Sequence, residues 1–228
     1  MVSIIIPTLN AEARLAACLA ALVGPTVDGL VKEVIIVDGG SSDETLTIAD
    51  GFGAKIISAP PGRGGQLAAG ANAARGDWLL FLHADTVLED GWADEAAELI
   101  GNDFYAAGIF TLAFDAVGIA PKLVAFGAMV RARWARMPYG DQGLLISKKT
   151  YDEIGGYADM PLFEDVELVS RLFKAKGQQA MHIFASKAMT SAVRYERDGY
   201  ARRVFKNFVL LMRYQFGASP EKLSQEYR

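Results

Sequence analysis

The sequence predicts an α/β domain with a mixed, mostly parallel sheet flanked by helices, and three observations support this. Four short apolar runs recur within the first hundred residues, as expected for buried strands. Helical patterns separate these runs, and such alternation implies right-handed crossovers between parallel strands. The 228 residues suffice for one domain with a substantial core, and no repeat or linker divides them. We therefore expect a single domain.

The predicted elements follow in order along the chain. In the first half, the strands are Val2–Ile6, Glu33–Val37, Lys55–Ser58 and Trp78–Leu82, and the helices between them are Glu12–Leu22, Glu44–Phe52 and Gln66–Ala74. Continuous apolar runs of this kind favour central strands that are covered on both faces. The second half is less regular, with strands at Ala106–Ala113 and Gly143–Ser147 and helices at Phe163–Lys176 and Tyr200–Phe216.

Composition narrows the classes of function. A net charge of −4 provides no basic field, so no nucleic-acid partner is expected. Cys18 is the only cysteine, which excludes an intrachain disulfide and a cysteine-based zinc site.

Hydropathy predicts a protein of the cytoplasm. Met1–Pro7 lacks the features of a signal peptide, and no run reaches the roughly 20 apolar residues that span a bilayer. Two apolar stretches, Ala116–Val130 and Phe205–Phe216, have two interpretations. They could be helices of the core, or they could make peripheral contact with the inner face of the membrane. The C-terminal stretch could also pair two copies in a homodimer.

Polar or turn-forming residues directly follow three of the predicted strands. These segments are Pro7-Thr8-Leu9-Asn10, Asp38-Gly39-Gly40-Ser41-Ser42-Asp43 and His83-Ala84-Asp85. In an open α/β sheet, the carboxyl ends of parallel strands lie along one edge, where ligands bind. We therefore expect three segments that are far apart in sequence to converge on one ligand site.

The second of these segments contains two candidate carboxylates. Asp38 could accept hydrogen bonds from a nucleobase imide or a ribose, and Gly39 and Gly40 would allow close approach of the backbone. Asp43 has two interpretations, since it could contact a ligand or simply cap the helix that follows.

His83 and Asp85 form a candidate metal site. Alternation along an extended strand predicts both side chains on one side. Carboxylate oxygen suits Mg²⁺ or Mn²⁺, and imidazole favours the softer Mn²⁺. A cation there could neutralise a leaving diphosphate. His83 is equally consistent with a packed, hydrogen-bonded histidine, in which case Asp85 alone matters.

The segment Gly62–Gln66 places an arginine among glycines at a predicted helix start. Such a segment suits a phosphate, and Arg63 could contact a pyrophosphate. The alternative is a glycine-rich surface loop with a solvated arginine. The segment lacks the dinucleotide fingerprint, because Leu67 stands where a glycine is required, and it lacks the lysine and hydroxyl of a Walker A motif.

Two charged clusters lie in the second half. Glu164 and Asp165 begin a predicted helix, where the helix dipole alone favours acids, but within a cleft they could supply a general base. The basic cluster contains Arg194, Arg197, Arg202 and Arg203. It could face phosphate, an anionic acceptor or acidic lipid, although for Arg202 and Arg203 a solvated helix face is favoured.

In their order and spacing, these motifs resemble those of the family 2 glycosyltransferases. The resemblance is carried by Ser3–Asn10, Val37–Asp43, Leu82–Asp85 and Glu164–Asp165, and it covers nearly the whole chain. Gly62–Gln66 and Thr190–Ala192 further resemble a compact bacterial subgroup whose acceptors are generally unassigned. The resemblance implies a Rossmann-like GT-A fold, with a nucleotide-sugar-binding half at 1–100 and an acceptor-binding half with a C-terminal helix at 101–228.

The resemblance also implies inversion at the anomeric carbon and a role for each candidate residue. Asp165 would be the catalytic base, with Glu164 positioning it or contacting the acceptor. Asp85 would bind Mn²⁺ or Mg²⁺, with His83 standing where many relatives carry aspartate. The donor-binding residues would be Pro7, Thr8, Asn10, Glu12, Asp38, Gly40, Asp43, Arg63, Ala84 and Arg194. The acceptor side would comprise Asp141, Gln142 and Gly143.

Two other functions compete with sugar transfer. A nucleotidyltransferase also holds a metal with acids on an α/β sheet, but it would have a basic, glycine-rich loop after the first strand, where Pro7–Asn10 stands. A non-catalytic nucleotide-sugar-binding module would not need both Asp85 and the acidic pair Glu164–Asp165. The acceptor could be a lipid, a sugar or a small molecule, and the sequence does not specify which.

Overall fold

The computed structural model describes residues 1–102 and 104–227, and it centres on one eight-stranded sheet. The strands are β1 (Val2–Thr8), β2 (Val31–Asp38), β3 (Lys55–Ser58), β4 (Trp78–Phe81), β5 (Val87–Leu88), β6 (Ala107–Phe114), β7 (Leu144–Ser147) and β8 (Met181–Thr190). The helices are α1 (Glu12–Ala20), α2 (Val23–Val27), α3 (Thr45–Gly51), α4 (Arg63–Ala73), α5 (Trp92–Ile100), α6 (Ile119–Trp134), α7 (Lys148–Glu153), α8 (Glu164–Lys176), α9 (Val193–Asp198), α10 (Tyr200–Gln215) and α11 (Pro220–Tyr227).

The sheet is mixed, as predicted, and its order is β3-β2-β1-β4-β7-β6-β8-β5. β1 pairs in parallel with β2 and β4, and β2 pairs in parallel with β3. β7 is antiparallel to β4 and β6, whereas β6 and β8 are parallel. The register places Thr8 of β1 opposite Asp38 of β2, so the segments that follow these two strands begin at the same edge.

Alternate residues of the central strands bury apolar side chains on both faces of the sheet. On one face, Ile4 and Ile6 of β1 belong to the core that includes Leu15 of α1. On the other face, Ile5 packs in the core that includes Leu67 of α4. Burial on both faces explains why β1 has a continuous apolar sequence.

Three predictions about the elements are wrong. β3 is not a covered central strand: it lies at the sheet edge with β2 as its neighbour, and Ile56 is exposed. α4 begins at Arg63 rather than Gln66, so the glycines at 64 and 65 are helical. β4 ends at Phe81 rather than Leu82, so His83 and Asp85 lie in the segment after the strand.

The longest strand, β8, escaped prediction although its sequence carries a clear signal. Phe184, Ser186, Ala188 and Thr190 are buried, and the residues between them are exposed. This period of two is typical of a strand with one covered face.

The two long apolar stretches of the second half form α6 and α10, which pack against each other. In the described parts of the chain, no helix combines the length and the apolar character that crossing a membrane requires.

Candidate active site

A cavity of about 460 Å³ lies where the segments after β1 and β4 meet the starts of α4 and α8. It brings together ten of the residues that the sequence singled out, namely Pro7, Thr8, Asn10, Arg63, His83, Ala84, Asp85, Asp141, Asp165 and Arg194. The other seven, Glu12, Asp38, Gly40, Asp43, Gln142, Gly143 and Glu164, are not part of its lining. The convergence expected from the strand ends is therefore present for the first and third segments.

Asp38 is not part of the cavity lining, and its carboxylate is saturated by hydrogen bonds from Thr8 and from its own loop. Oδ1 accepts from Thr8 Oγ1 at 3.1 Å and from Ser41 Oγ at 2.5 Å, and Oδ2 accepts from the Gly40 and Ser41 N–H groups at 2.9 and 2.8 Å. Burial raises the pKa of this carboxyl, but the hydrogen bonds outweigh burial and hold it below its ordinary value. In this conformation, Asp38 shapes the loop rather than facing the cavity.

Asn10, Glu12 and Asp43 connect the loop after β1 to the loop after β2. Asn10 Oδ1 accepts from the Ser42 N–H at 2.9 Å, and Asp43 Oδ2 accepts from the Glu12 N–H at 3.1 Å. Asp43 Oδ1 accepts from the Thr45 N–H at 3.1 Å. Asp43 therefore accepts a hydrogen bond from the first N–H group of α1 and of α3, which agrees with the capping interpretation.

Gln66 is a cavity residue whose role the sequence did not reveal. Its Nε2 donates to the carbonyl oxygens of Thr8 and Val37 at 2.9 and 2.7 Å, and its Oε1 accepts from the Gly62 N–H at 3.2 Å. The buried amide thereby fixes the ends of β1 and β2 against α4. Its position within the glycine-rich segment was the available signal.

Asp85 and His83 are the residues that could hold a divalent cation. Burial raises the pKa of the Asp85 carboxyl, and the nearby Arg194 opposes this rise. Burial, together with the charges of Arg63 and Arg194, lowers the pKa of His83 to about 3, so its imidazole is neutral and can donate a lone pair to a metal.

The side chains at this site fit a metal ion that takes its remaining ligands from a substrate and from water. Among the described residues, no group of three or more His, Cys, Asp or Glu side chains is arranged to enclose a cation. Mg²⁺ commonly takes only one or two protein carboxylates, and the remaining positions go to substrate phosphates and water. Asp85 with His83 matches that pattern, whereas a structural metal site would need a fuller cage.

Asp165, Gly140 and His83 meet at one point of the cavity. The Gly140 N–H donates to Asp165 Oδ2 at 2.6 Å, and the Val166 N–H donates to Asp165 Oδ1 at 2.7 Å. A β-carbon placed on Gly140 would lie 2.9 Å from His83 Nε2 and 3.4 Å from Asp165 Oδ2. The absence of a side chain at Gly140 thus allows the proposed base and the histidine to approach each other.

Glu164 faces Arg63 rather than the cavity. Its Oε1 forms an ion pair with Arg63 Nε, and its side chain is 1% exposed. Burial raises the pKa of Glu164, and the Arg63 charge opposes the rise. The second carboxylate oxygen, Oε2, is buried and has no hydrogen-bond partner among the described residues.

The glycines at the start of α4 serve close packing. A β-carbon on Gly64 would lie 2.3 Å from the carbonyl oxygen of Ala158, and one on Gly65 would lie 2.8 Å from Asp159 Oδ1. The backbone segment 158–160 therefore covers this first turn. This packing contradicts the solvated surface loop, whereas a phosphate contact by the segment stays a prediction.

Asp141 is the acceptor-side candidate that reaches the cavity. Burial raises its pKa to about 6, although Arg131 opposes the rise, and its Oδ1 is buried without a hydrogen-bond partner among the described residues. Gln142 points elsewhere, because its Nε2 donates to the Phe110 carbonyl at 3.2 Å. Gly143 likewise packs against the Phe110 ring.

The arginine cluster divides between the cavity and the surface. Arg194 lines the cavity and remains exposed. The prediction that Arg203 lies on a solvated face is wrong: it is buried, pairs with Asp198 at 3.1 Å and lies 4.6 Å from the centre of the Tyr227 ring. Arg197 also pairs with Asp198, at 2.7 Å, whereas Arg202 is exposed as predicted.

Further cavity residues come from elements without a recognisable local motif. They are Tyr139, Tyr195, Asn207, Leu210 and Tyr227. Tyr139 lies between α6 and β7, and the other four lie in α9 to α11, so only the folded arrangement brings them to the site.

Comparison with known proteins identifies a matching family model and relatives from mycobacteria. The model of the family described as Glycosyl transferase family 2 matches residues 3–160. The PGL/p-HBAD biosynthesis glycosyltransferase of Mycobacterium bovis (strain BCG / Pasteur 1173P2) is 44% identical over 95 residues, which cover 39% of this chain and 36% of that protein. The glucosyl-3-phosphoglycerate synthase of Mycobacterium tuberculosis (strain ATCC 25618 / H37Rv) is 34% identical over 95 residues, covering 38% and 29%. The matched segment thus spans about a third of these relatives.

Solved structures share the fold over most of the chain. Glucosyl-3-phosphoglycerate synthase from Mycobacterium tuberculosis, in complex with Mn²⁺ and uridine-diphosphate-glucose, superimposes with a TM-score of 0.65 at 21% identity, covering 92% of this chain and 78% of that one. S. aureus TarS 1–349 gives 0.66 at 16% identity, covering 99% and 70%. These similarities confirm the predicted GT-A fold.

Proposed function

Because this chain belongs to glycosyl transferase family 2, we propose that it transfers a sugar from a nucleotide-diphosphate sugar to an acceptor hydroxyl, with inversion at the anomeric carbon. The observation that carries this proposal is the single cavity in which Thr8, Asp85 and Asp165 converge. A donor lying across the ends of β1 and β4 would point its sugar towards the start of α8.

The proposed donor site includes a divalent cation. A solved structural neighbour binds Mn²⁺ with uridine-diphosphate-glucose, and another complex of that protein contains Mg²⁺ with uridine-diphosphate. In this chain, Asp85 and His83 would hold the cation on the donor diphosphate. When bound, the cation would supply neutralisation of the charge that develops on the leaving group.

Asp165 is the proposed general base. Each of its carboxylate oxygens accepts one backbone N–H and retains capacity for another hydrogen bond, so the carboxylate is oriented without being saturated. Asp165 takes the proton from the acceptor hydroxyl as the hydroxyl oxygen attacks the anomeric carbon. The bond between that carbon and the diphosphate oxygen breaks, and the nucleoside diphosphate departs.

The arginines have different proposed roles. Arg194 lines the cavity near Asp85 and has no ion-pair partner among the described residues, so its charge is available to the departing diphosphate. Arg63 is engaged by Glu164, and it therefore positions that acid beside Asp165. This assignment replaces a direct pyrophosphate contact by Arg63 with a positioning role.

The acceptor side is proposed to lie between Asp141 and the C-terminal helices. The Asp141 carboxylate has an unpartnered buried oxygen that could accept a hydrogen bond from an acceptor hydroxyl. Residues 1–100 would then mainly serve the donor, and 101–228 the acceptor. The acceptor would be a lipid, a sugar or a small molecule that carries such a hydroxyl.

A thermal-shift screen of nucleotide sugars, with and without Mn²⁺, tests this function. A ligand that binds only the folded state raises the melting temperature. We expect a rise in melting temperature that requires Mn²⁺ and is lost in Asp85→Asn. The control variant Asp77→Asn should keep it, because Asp77 is an exposed carboxylate directly before the start of β4, whereas Asp85 follows the end of that strand. Pyrophosphate release from a nucleoside triphosphate would favour a nucleotidyltransferase, and binding without donor turnover would favour a non-catalytic module.

A further inference from the structure

The outer face of α6 presents a continuous apolar stripe to solvent. Its members are Ile119, Leu123, Phe126, Val130 and Trp134, which recur at spacings of three and four residues and so share one helix face. All five are exposed, with Phe126 at 69% and Trp134 at 80%. Exposed apolar patches of this kind mark interaction sites.

The neighbouring helix α10 also exposes apolar side chains. It packs against α6 and exposes Val204, Phe205 and Phe208, while Arg203 and Leu210 are buried and line the cavity. α10 thus has one face towards the proposed active site and another towards solvent. The apolar surface therefore borders the half of the cavity that we assign to the acceptor.

The charges on these two helices are all positive, although the whole chain has a net charge of −4. Neither α6 nor α10 contains an aspartate or a glutamate. Lys122 and Arg133 lie beside the stripe, Arg136 lies two residues after the end of α6, and Arg202 lies on α10. These four cations are exposed and form no ion pair in the described part of the chain.

We propose that α6 and α10 form a docking surface for an anionic lipid bilayer. An exposed apolar stripe flanked by unpaired cations is the pattern of a helix that lies in the headgroup region, with its apolar side chains inserted. Each such cation near an anionic surface strengthens partitioning by about fivefold. A second copy packed face to face would bring the same cations together, which disfavours a dimer through this surface.

Sedimentation with lipid vesicles tests this proposal on the whole chain. We expect binding to vesicles of phosphatidylcholine with phosphatidylglycerol, weaker binding at high salt, and little binding to phosphatidylcholine alone. The variant Lys122→Gln/Arg133→Gln should bind the anionic vesicles roughly 25-fold more weakly. Phe126→Ser/Trp134→Ser should also lose binding, while Val27→Ser, an exposed apolar side chain on α2, should not.

Two results would overturn the proposal. One is equal sedimentation of the wild type and both double variants, provided that circular dichroism shows wild-type melting for each. The other is a wild-type dimer in light scattering that Phe126→Ser/Trp134→Ser converts to a monomer, with no vesicle binding by either protein. That second result would assign the surface to another copy of this chain.

Discussion

Arg63 and Glu164 form an ion pair that joins the first turn of α4 to the first residue of α8, although 101 positions separate them in the sequence. Glu164 is almost completely buried, and its neighbour Asp165 is the proposed base. The pair therefore connects the start of α4 with the residue next to the proposed base.

Replacing Arg63 should destabilise the protein in a pH-dependent way. In Arg63→Gln, Glu164 would be buried without its cation, which we expect to cost about 3 kcal/mol at neutral pH, because Arg63 itself is partly exposed. The pKa of Glu164 is already raised by burial and should rise further. A carboxyl whose pKa is higher in the folded than in the unfolded state makes the protein less stable as pH rises above the unfolded pKa. The stability lost in Arg63→Gln should therefore shrink as pH falls towards 4. Urea denaturation across this range measures it.

The double variant Arg63→Gln/Glu164→Gln provides the matched control for the ion pair. Two neutral amides can still hydrogen-bond, so we expect most of the lost stability to return. A double variant as unstable as Arg63→Gln would show that Arg63 acts through packing rather than through the Glu164 charge.

Asp141 should limit stability at neutral pH. Its pKa is raised to about 6, so folding favours the protonated form, and the stability of the wild type should fall between about pH 4 and pH 6. Asp141→Asn should therefore be more stable than the wild type by roughly 3 kcal/mol at pH 7.5, and no more stable at pH 4. Equal stabilisation at both pH values would contradict the burial of a charged carboxylate.

Gly140 should matter to activity more than to stability. An alanine there would place its β-carbon 2.9 Å from His83 Nε2, and the ring would have to move. Displacement of a site residue by about 1 Å can cost on the order of 100-fold in rate. We expect Gly140→Ala to melt within a few degrees of the wild type while losing donor turnover. Gly51→Ala, where a β-carbon meets nothing within 4 Å, is the control.

Gly64 should be required for folding because backbone atoms surround it. A β-carbon would lie 2.3 Å from the Ala158 carbonyl oxygen and 2.9 Å from the Met160 N. Gly64→Ala should therefore destabilise the protein by about 2 kcal/mol or more. Gly24→Ala in α2 has open space and should be neutral or slightly stabilising. Chemical denaturation of both variants distinguishes close packing from a general cost of losing glycine.

The expectation that residues after parallel strands converge predicted the central residues of the cavity, but not the contacts around them. Thr8 and Asp85 follow or end apolar strands, and the parallel sheet brings them to one cavity, as expected. Asp38 follows the same rule, yet its own loop supplies hydrogen bonds that turn it away from the cavity. Local sequence cannot reveal which donors will reach a carboxylate first.

The remaining contacts depend on residues that are distant in sequence. The glycine pattern at 62–66 predicts a phosphate contact, which stays a prediction, whereas the close packing of segment 158–160 against Gly64 could not be predicted from the pattern. Similarly, the sequence predicts a solvated Arg203, whereas in the structure Asp198 pairs with it and the Tyr227 ring lies against it. Such pairings arise from the path of the second half, whose order the sequence predicted least well.

Donor turnover by Asp165→Asn tests the proposed mechanism most directly. Release of nucleoside diphosphate is measured at saturating nucleotide sugar and Mn²⁺, with Glu167→Gln as a control acid on the same helix, where it pairs with Arg171. We predict that Asp165→Asn keeps the thermal shift with donor but loses at least 100-fold in turnover, while the control stays near the wild-type rate. A near-normal rate in Asp165→Asn would contradict the assignment of Asp165 as the base.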